Sequence, residues 1–498
     1  MQNQIKYSCS VIFITLLALE SYAQNEVDVL RYSLSDPIGS VRTIGMGGAY
    51  GALGADLASL GINPAGIGMY RRGDIGGSVG IQSGKTSANL GLFYSSSASS
   101  SASRIGTFGV SMTVPSVNPD WPFVTIAVAH QKRSVWNNVM KIDGADLNSS
   151  LLGVFQVNAE GTHNDNLNDG SAYAYTASLA WYAYLLDPNG SSNTSYITPF
   201  DTDTSIVFSR SIEHGGDMSE NQISIGGTYQ DWLSLGGTLA STDITFTEKS
   251  THTETPQEQG TDLDSWSYSE DLYIEGTGIN IRLGAIAKIS NWLRVGIAWQ
   301  SPTRLELIDS YSHSISSDWK DGTFYNENSP VGGYEYLIIT PSRTTLSSSF
   351  LMGKLAVISA DLEIVDYSKG TLKANSDIWL SDGNDFASEN EMVEELYTQS
   401  YKTRVGLEMR VAEDWRVRFG GSFETSPYSN IVILTSNPSR WSASFGGEYR
   451  SGDYYMGFAW KKSWTESDLF LINPDDQDSP IVQEKSLGMV MIGGGMRF

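Results

Sequence analysis

Apolar and polar residues alternate singly over long stretches of the chain. In residues 277–289, Ile279, Ile281, Leu283, Ala285, Ala287 and Ile289 fall on one face, and Asn280, Arg282, Gly284 and Lys288 fall on the other. Successive side chains of a strand point to opposite faces, so a period of two predicts a strand with one apolar and one polar side. After the turn Ser290-Asn291 the alternation resumes, with Leu293, Val295, Ile297 and Trp299 against Arg294, Gly296 and Ala298. The pair 402–412 and 415–424 repeats it: Val405, Leu407, Met409 and Val411 oppose Arg404, Glu408 and Arg410, while Val417 and Phe419 oppose Arg416 and Arg418.

The same reading places strands near 73–82, 104–113, 122–132, 221–229, 232–246, 277–289, 292–300, 342–351, 354–364, 402–412, 415–424, 440–449, 454–461 and 485–498. Very short turns join them in pairs at one end. At the other end lie long polar stretches, 133–220, 247–276, 301–341, 365–401, 425–439 and 462–484. Segment 88–95 also alternates. A single-chain bacterial barrel needs an even number of strands, so 88–95 is assigned to the first long loop, and the strand at 277 is allowed to start as early as Trp266. Within the loops, Ala172–Leu186 and Glu389–Thr398 read as short helices, the first as the packed core of an ordered loop.

Asp120-Trp121, Asp231-Trp232, Asn291-Trp292 and Asp414-Trp415, with Asp453-Tyr454 as a weaker copy, each put an aromatic residue directly after a short turn. That is where the aromatic girdle of a membrane interface falls. The predicted fold is all-β: a transmembrane antiparallel β-barrel of about 14 strands. Its last strand ends on Phe498, the terminal aromatic expected of a substrate of the barrel-assembly machinery. A closed barrel has no edge to pair, so a monomer in the lipid and lipopolysaccharide of an outer membrane is expected.

Composition agrees. The chain has 50 Gly, 25 Tyr, 13 Trp and a net charge of −24. An acidic chain is repelled by phosphate backbones, which argues against a nucleic-acid partner. No apolar run is long enough for a spanning helix. Lys6, the apolar run Val11–Leu19 and Ser21-Tyr22-Ala23 read as a signal peptide over residues 1–23, cleaved before Gln24. The one cysteine, Cys9, lies within it, so the expected mature chain has no thiol for disulfides, metal sites or catalysis. The five histidines show no metal or triad spacing, so no enzyme activity, catalytic residue, metal site or cofactor is expected.

Residues 24–72 break the alternation. Gly45, Gly47 and Gly48 open a run of small residues to Gly54, and Asn63-Pro64-Ala65 sets a turn. The run lacks Gly-x-Gly-x-x-Gly spacing and a following lysine, so it is no nucleotide loop. It reads as a plug, because a barrel this wide is not filled by its own wall side chains. The domains are thus the signal at 1–23, the hatch at 24–72 and the barrel at 73–498.

Asn63-Pro64-Ala65 after GMGGAYGALGADLASLGI, LRVGIAWQSPT (293–303), and YKTRVGLEMRVAEDWRVRFGGSFETSP (401–427) resemble the FadL-type outer-membrane transporters of hydrophobic compounds and long-chain fatty acids. LAWYAYLLDP (179–188) and the Gln after Ala23 resemble the Bacteroidetes branch. The resemblance implies a fourteen-stranded barrel with an N-terminal hatch, passive uptake of a hydrophobic small-molecule ligand, and release sideways through the wall. Asn63, Pro64 and Ala65, with Gly45, Gly47 and Gly48, are then candidate hatch and gate residues. Strand parity turns Arg282, Lys288, Arg294, Arg404, Arg410, Arg416 and Arg418 inward, and Arg282 and Arg404 are the candidates for a ligand carboxylate. An alternative is an interaction or shuttle barrel serving protein secretion.

Overall fold

The structure is a computed structural model that describes residues 25–36, 39–90, 94–147, 150–200, 205–257, 261–375, 386–432, 434, 436–469 and 481–498. The expected signal peptide lies outside the described residues.

Nineteen strands form one continuous sheet. They are Asp74–Leu90 (β1), Tyr94–Pro115 (β2), Phe123–Val135 (β3), Asn138–Leu147 (β4), Ile206–Tyr229 (β5), Leu233–Pro256 (β6), Leu263–Lys288 (β7), Leu293–Gln300 (β8), Arg304–Trp319 (β9), Phe324–Asn328 (β10), Gly332–Ile339 (β11), Arg343–Met352 (β12), Ala356–Asp366 (β13), Thr371–Ala374 (β14), Gln399–Arg410 (β15), Trp415–Glu424 (β16), Arg440–Ser451 (β17), Tyr454–Leu469 (β18) and Ile481–Arg497 (β19). Fourteen of them close an antiparallel barrel in the order β1, β2, β3, β5, β6, β7, β8, β12, β13, β15, β16, β17, β18, β19. The ladder from Asp74↔Arg497 to Leu90↔Ile481 joins last to first. Closure pairs the spanning backbone groups within the wall, the condition for crossing a bilayer with strands, except where β2 and β3 part beyond Thr107↔Gln131.

The strand faces are as the alternation predicts. Ile279, Ile281, Leu283, Ile297, Val405 and Phe419 are exposed on the outside, where lipid takes the place of water, while Asn280, Arg282 and Arg418 are buried in the lumen. Trp232, Trp292, Trp415 and Tyr454 stand exposed at the short-turn end. Trp121 instead leans on Tyr229, ring centroids 5.5 Å apart. Gly353 and Gly452 take φ of 58° in the tightest turns, a backbone that costs a side-chain-bearing residue about 1 kcal/mol or more.

The polar stretches differ from the expected loops. Segment 88–95 is not a loop: β1 runs to Leu90 and β2 starts at Tyr94. Strands β5, β6 and β7 continue far above the apolar band, and β7 begins at Leu263. The upper half of β7 stays paired with β6 and on its other edge exchanges β8 for β9, which pairs in turn with β10 and β11. These extensions are rich in Thr, Ser and Tyr, as in Thr245–Thr255, and residues that favour strands keep the ladder going without an apolar face. The helix expected at Ala172–Leu186 is only Ala177–Tyr182, and that at Glu389–Thr398 is Ala387–Leu396. Leu179, Ala180, Leu185 and Leu186 are buried with Phe155 and Trp266 in a core of their own outside the barrel.

The N-terminal segment lies inside the barrel. It forms Glu26–Ser33 (α1), Val41–Gly45 (α2), Ser59–Ile62 (α3) and a 3-10 turn at Pro64–Met69. Asn25 caps α1 by accepting from Val27 N at 3.1 Å. Val29, Leu30 and Tyr32 of α1 are buried against Leu305, Leu307, Tyr336 and Ile338 of β9 and β11, so this helix roofs the lumen on the long-loop side.

Candidate functional site

Two features define the site: the seat of the N-terminal segment on the wall, and a break in the wall itself.

At Gly45–Gly48 the backbone of the segment touches the backbone of the barrel. Gly47 and Gly48 take φ of 66° and 82°. A Cβ on Gly420 would come within 2.2 Å of Gly47 N, and one on Gly406 within 2.5 Å of Met46 O. Wall and plug must both be glycine here for the surfaces to meet. A second seat is built around Asn63. Its Nδ2 donates to Gly51 O at 2.7 Å and faces the wall carbonyls of Ala285 and Ile297, each at 3.4 Å, while its Oδ1 accepts from Ala65 N. Gly284 and Gly236 of the wall leave room for Asn63 and Pro64, since a Cβ on either would lie 2.0 Å from Asn63 Oδ1 or 2.3 Å from Pro64 O.

Charge ties the rest. Arg42 of α2 forks Glu408 at 2.8 and 2.9 Å, and Arg418 bridges Glu408 and Glu448 at 2.7 and 2.8 Å. Asp361 accepts from the backbone N–H groups of Tyr50 and Gly51 at 2.8 and 3.0 Å. Paired in this way, buried charges order a lumen that unpaired ones would disrupt.

Arg282 and Arg404 line one cavity between plug and wall, together with Arg133, Arg343 and Lys461. Arg282 donates to Glu220 at 2.6 Å and Gln300 at 2.9 Å, and its Nη1 is buried without a hydrogen-bond partner among the described residues. Arg404 donates to Glu363 at 2.9 Å, a carboxylate shared with Arg343. The other predicted inward cations are elsewhere. Arg294 reaches Leu53 O at 3.1 Å, and Arg410 turns back to Glu413 O at 2.8 Å at the exposed rim. Lys288 is exposed and Arg416 half-buried. Arg133 was legible by parity, in phase with Ala127, Ala129 and Gln131, but it lies just past the expected end of its strand.

On the roof, Asp28 of α1 is buried and pairs with Arg31, whose guanidinium lies 4.2 Å over the Phe246 ring. Burial pushes the Asp28 carboxyl up to about 6, against the pull of Arg31.

The break lies between β2 and β3. Their ladder runs from Pro115↔Phe123 to Thr107↔Gln131 and stops. Above it β2 continues to Tyr94 bonded only to β1, and β3 continues to Val135 bonded only to β5, with a bulge between Lys132 and Ser134. Contact across the gap resumes higher up, where Ser100 Oγ donates to Asn137 O at 3.1 Å. On the outer face the gap opens into a hollow lined by Val79, Ile81, Ile105, Val490 and Ile492. On the inner face the plug covers it. Asp36 N donates to Arg133 O at 3.2 Å, Ser134 Oγ to Leu34 O at 3.0 Å, and Ser78 Oγ to Gly39 O at 3.3 Å.

Each histidine is engaged within the protein: His130 with Asn221, His214 with Glu248, His252 with Glu254, His313 with Tyr268, and His163 with the start of Asn164–Asn168. Among the described residues no cluster of three metal-binding side chains occurs.

A closed fourteen-stranded barrel with an apolar outer band and an occupied lumen is an outer-membrane β-barrel fold. Solved structures share it. A Pseudomonas aeruginosa FadL homologue superposes with a TM-score of 0.53 at 14% identity, covering 94% of this chain and 100% of its own. The toluene transporter TodX of P. putida superposes with a TM-score of 0.52 at 12% identity, over 92% of this chain and 98% of its own. No protein-family profile and no curated protein matches the chain. The fold resemblance read from the hatch and the late hairpin is therefore the one that the structure displays.

Proposed function

We propose that the protein is a passive outer-membrane channel for hydrophobic compounds such as long-chain fatty acids, gated by the N-terminal hatch. The observation that carries this reading is the break between β2 and β3. A channel for polar solutes needs a continuous wall around a wet pore. An apolar hollow on the lipid side, with only the plug behind it, suits a ligand that partitions into the bilayer. The structures that share the fold include one described as a toluene transporter.

In this reading Gly45, Gly47, Gly48, Asn63, Pro64 and Ala65 are the fixed part of the gate, because backbone meets backbone there. Leu34, Asp36 and Gly39 form the moving edge, held beside the break by three single hydrogen bonds and, through the Asp36 carboxylate, by ion pairs with Lys402 and Lys461. Arg282 and Arg404 meet a ligand's carboxylate in the lumen, Arg282 through its unused Nη1. The test is uptake of radiolabelled hexadecanoic acid by Gram-negative cells lacking their own fatty-acid transporter. Saturable uptake that requires the protein supports the reading. Uptake equal to that of cells without the protein contradicts it.

A further inference from the structure

The break in the wall holds a cation that forms no ion pair among the described residues, although the charge of Asp217 across the gap acts on it. Arg104 sits on the stretch of β2 that bonds only to β1, opposite Gly80 and next to the outward-facing Ile105. It lines the hollow on the same level as Lys132 and Asp217. Its Nε and Nη2 are buried without a hydrogen-bond partner among the described residues, and its Nη1 reaches the Ser103 carbonyl at 3.5 Å. Across the gap Lys132 is already committed to Asp217 at 2.6 Å. Arg404 and Arg418 of the lumen, by contrast, each lie against a carboxylate at 2.9 Å or less.

Burying two N–H groups of a half-exposed guanidinium without an acceptor is costly, and at membrane depth such groups mark the path of a ligand. Nε and Nη2 lack an acceptor among the described residues, and the wall beside them is apolar. A carboxylate with a long apolar tail fits both halves: the planar fork donates to the two oxygens, and the tail lies along Val79, Ile81, Val490 and Ile492.

We propose that Arg104 is the specificity-determining residue of the lateral exit. It receives the carboxylate of an amphipathic acid as the acid leaves the lumen, so the cargo is an acid with one anionic head rather than a neutral hydrocarbon. This rests on the transport reading above. The same donors would also suit the phosphate of a membrane lipid, and the experiment separates the two sources.

Proteoliposomes carrying the wild type, Arg104→Gln or Arg104→Lys are given hexadecanoic acid or its neutral analogue hexadecanol, and initial rates are compared. Arg104→Gln is expected to slow the acid about tenfold, the loss of one charge-assisted contact, and to leave the alcohol unchanged. Arg104→Lys is expected to recover most of the acid rate. Equal slowing of both compounds without rescue by lysine assigns Arg104 to wall packing and overturns the proposal. So does an unchanged acid rate, which leaves the cation to a resident lipid phosphate. A wild type that carries neither compound above protein-free vesicles contradicts the transport reading itself.

Discussion

Thr107 and Gln131 are the last residues to face each other across the ladder between β2 and β3, and both are buried in the lumen. One step higher the two strands part while each keeps its other neighbour. The barrel therefore stays closed as a sheet elsewhere and has one side on which it is held shut by the plug. In the proposed function, the position of Asp36, Leu34 and Gly39 behind that side is what would link movement of the plug to an opening toward lipid.

The glycine seat predicts what a single methyl group does. In Gly420→Ala the new Cβ would press on Gly47 N and on the Met46 carbonyl. Neither can yield without lifting the hatch. Single-channel recordings are expected to show larger and more frequent conductance steps than the wild type. Gly421→Ala, whose Cβ meets only a backbone oxygen at 3.3 Å, serves as the control and is expected to behave like the wild type.

Arg418 is buried between Glu408 and Glu448. Removing it in Arg418→Met leaves Glu408 with Arg42 and Glu448 with Arg450, each short of one charge-assisted hydrogen bond. The loss of those two bonds costs about 1–3 kcal/mol. A lowered midpoint of urea unfolding of the barrel in detergent checks this. An unchanged midpoint would mean that water already screens the pair.

Acid should tighten the roof. The docked Asp28 carboxyl holds its proton up to about pH 6, whereas the undocked one gives it up near the ordinary aspartate value. Docking of α1 is therefore strongest at low pH, weakens as pH rises through that window, and is flat above about 6. Hydrogen exchange at Val29–Tyr32 is expected to slow, after correction for intrinsic rates, as pH falls from 7 to 5. Asp28→Asn should abolish the dependence.

Much of this architecture was written in the alternation. Arg282 and Ile281 were assigned to opposite faces, and the structure has one buried and the other exposed. Apolar residues must meet lipid on one face only, so membrane-spanning strands carry a readable period. Above the membrane that requirement lapses. Thr247–Thr255 is polar on both faces, and its pairing with β5 and β7 left no mark in hydropathy. A segment packed inside the barrel was visible through its glycines and Asn63, but which wall residues it met was not, because Gly420 and Gly284 are distant in sequence. Arg104 escaped notice for a related reason. Its neighbours, from Ser95 to Ser103, are all serine or alanine, and nothing in them signals that the adjoining strand turns away.

The central claim is that ligand leaves where Leu34 and Ser134 hold the plug over the break. The expected mature chain has no cysteine, so Leu34→Cys with Ser134→Cys makes a single disulfide that can be closed by oxidant and opened by reductant. A second pair, Leu60→Cys with Thr238→Cys, placed where Thr238 Oγ1 donates to Leu60 O at 3.1 Å, locks the fixed seat beside Asn63. The measurement is uptake of radiolabelled hexadecanoic acid by cells bearing each pair, oxidised and then reduced. The account predicts that the first pair stops uptake when oxidised and regains it when reduced, while the second pair transports in both states. Uptake through the oxidised first pair at the reduced rate would contradict it.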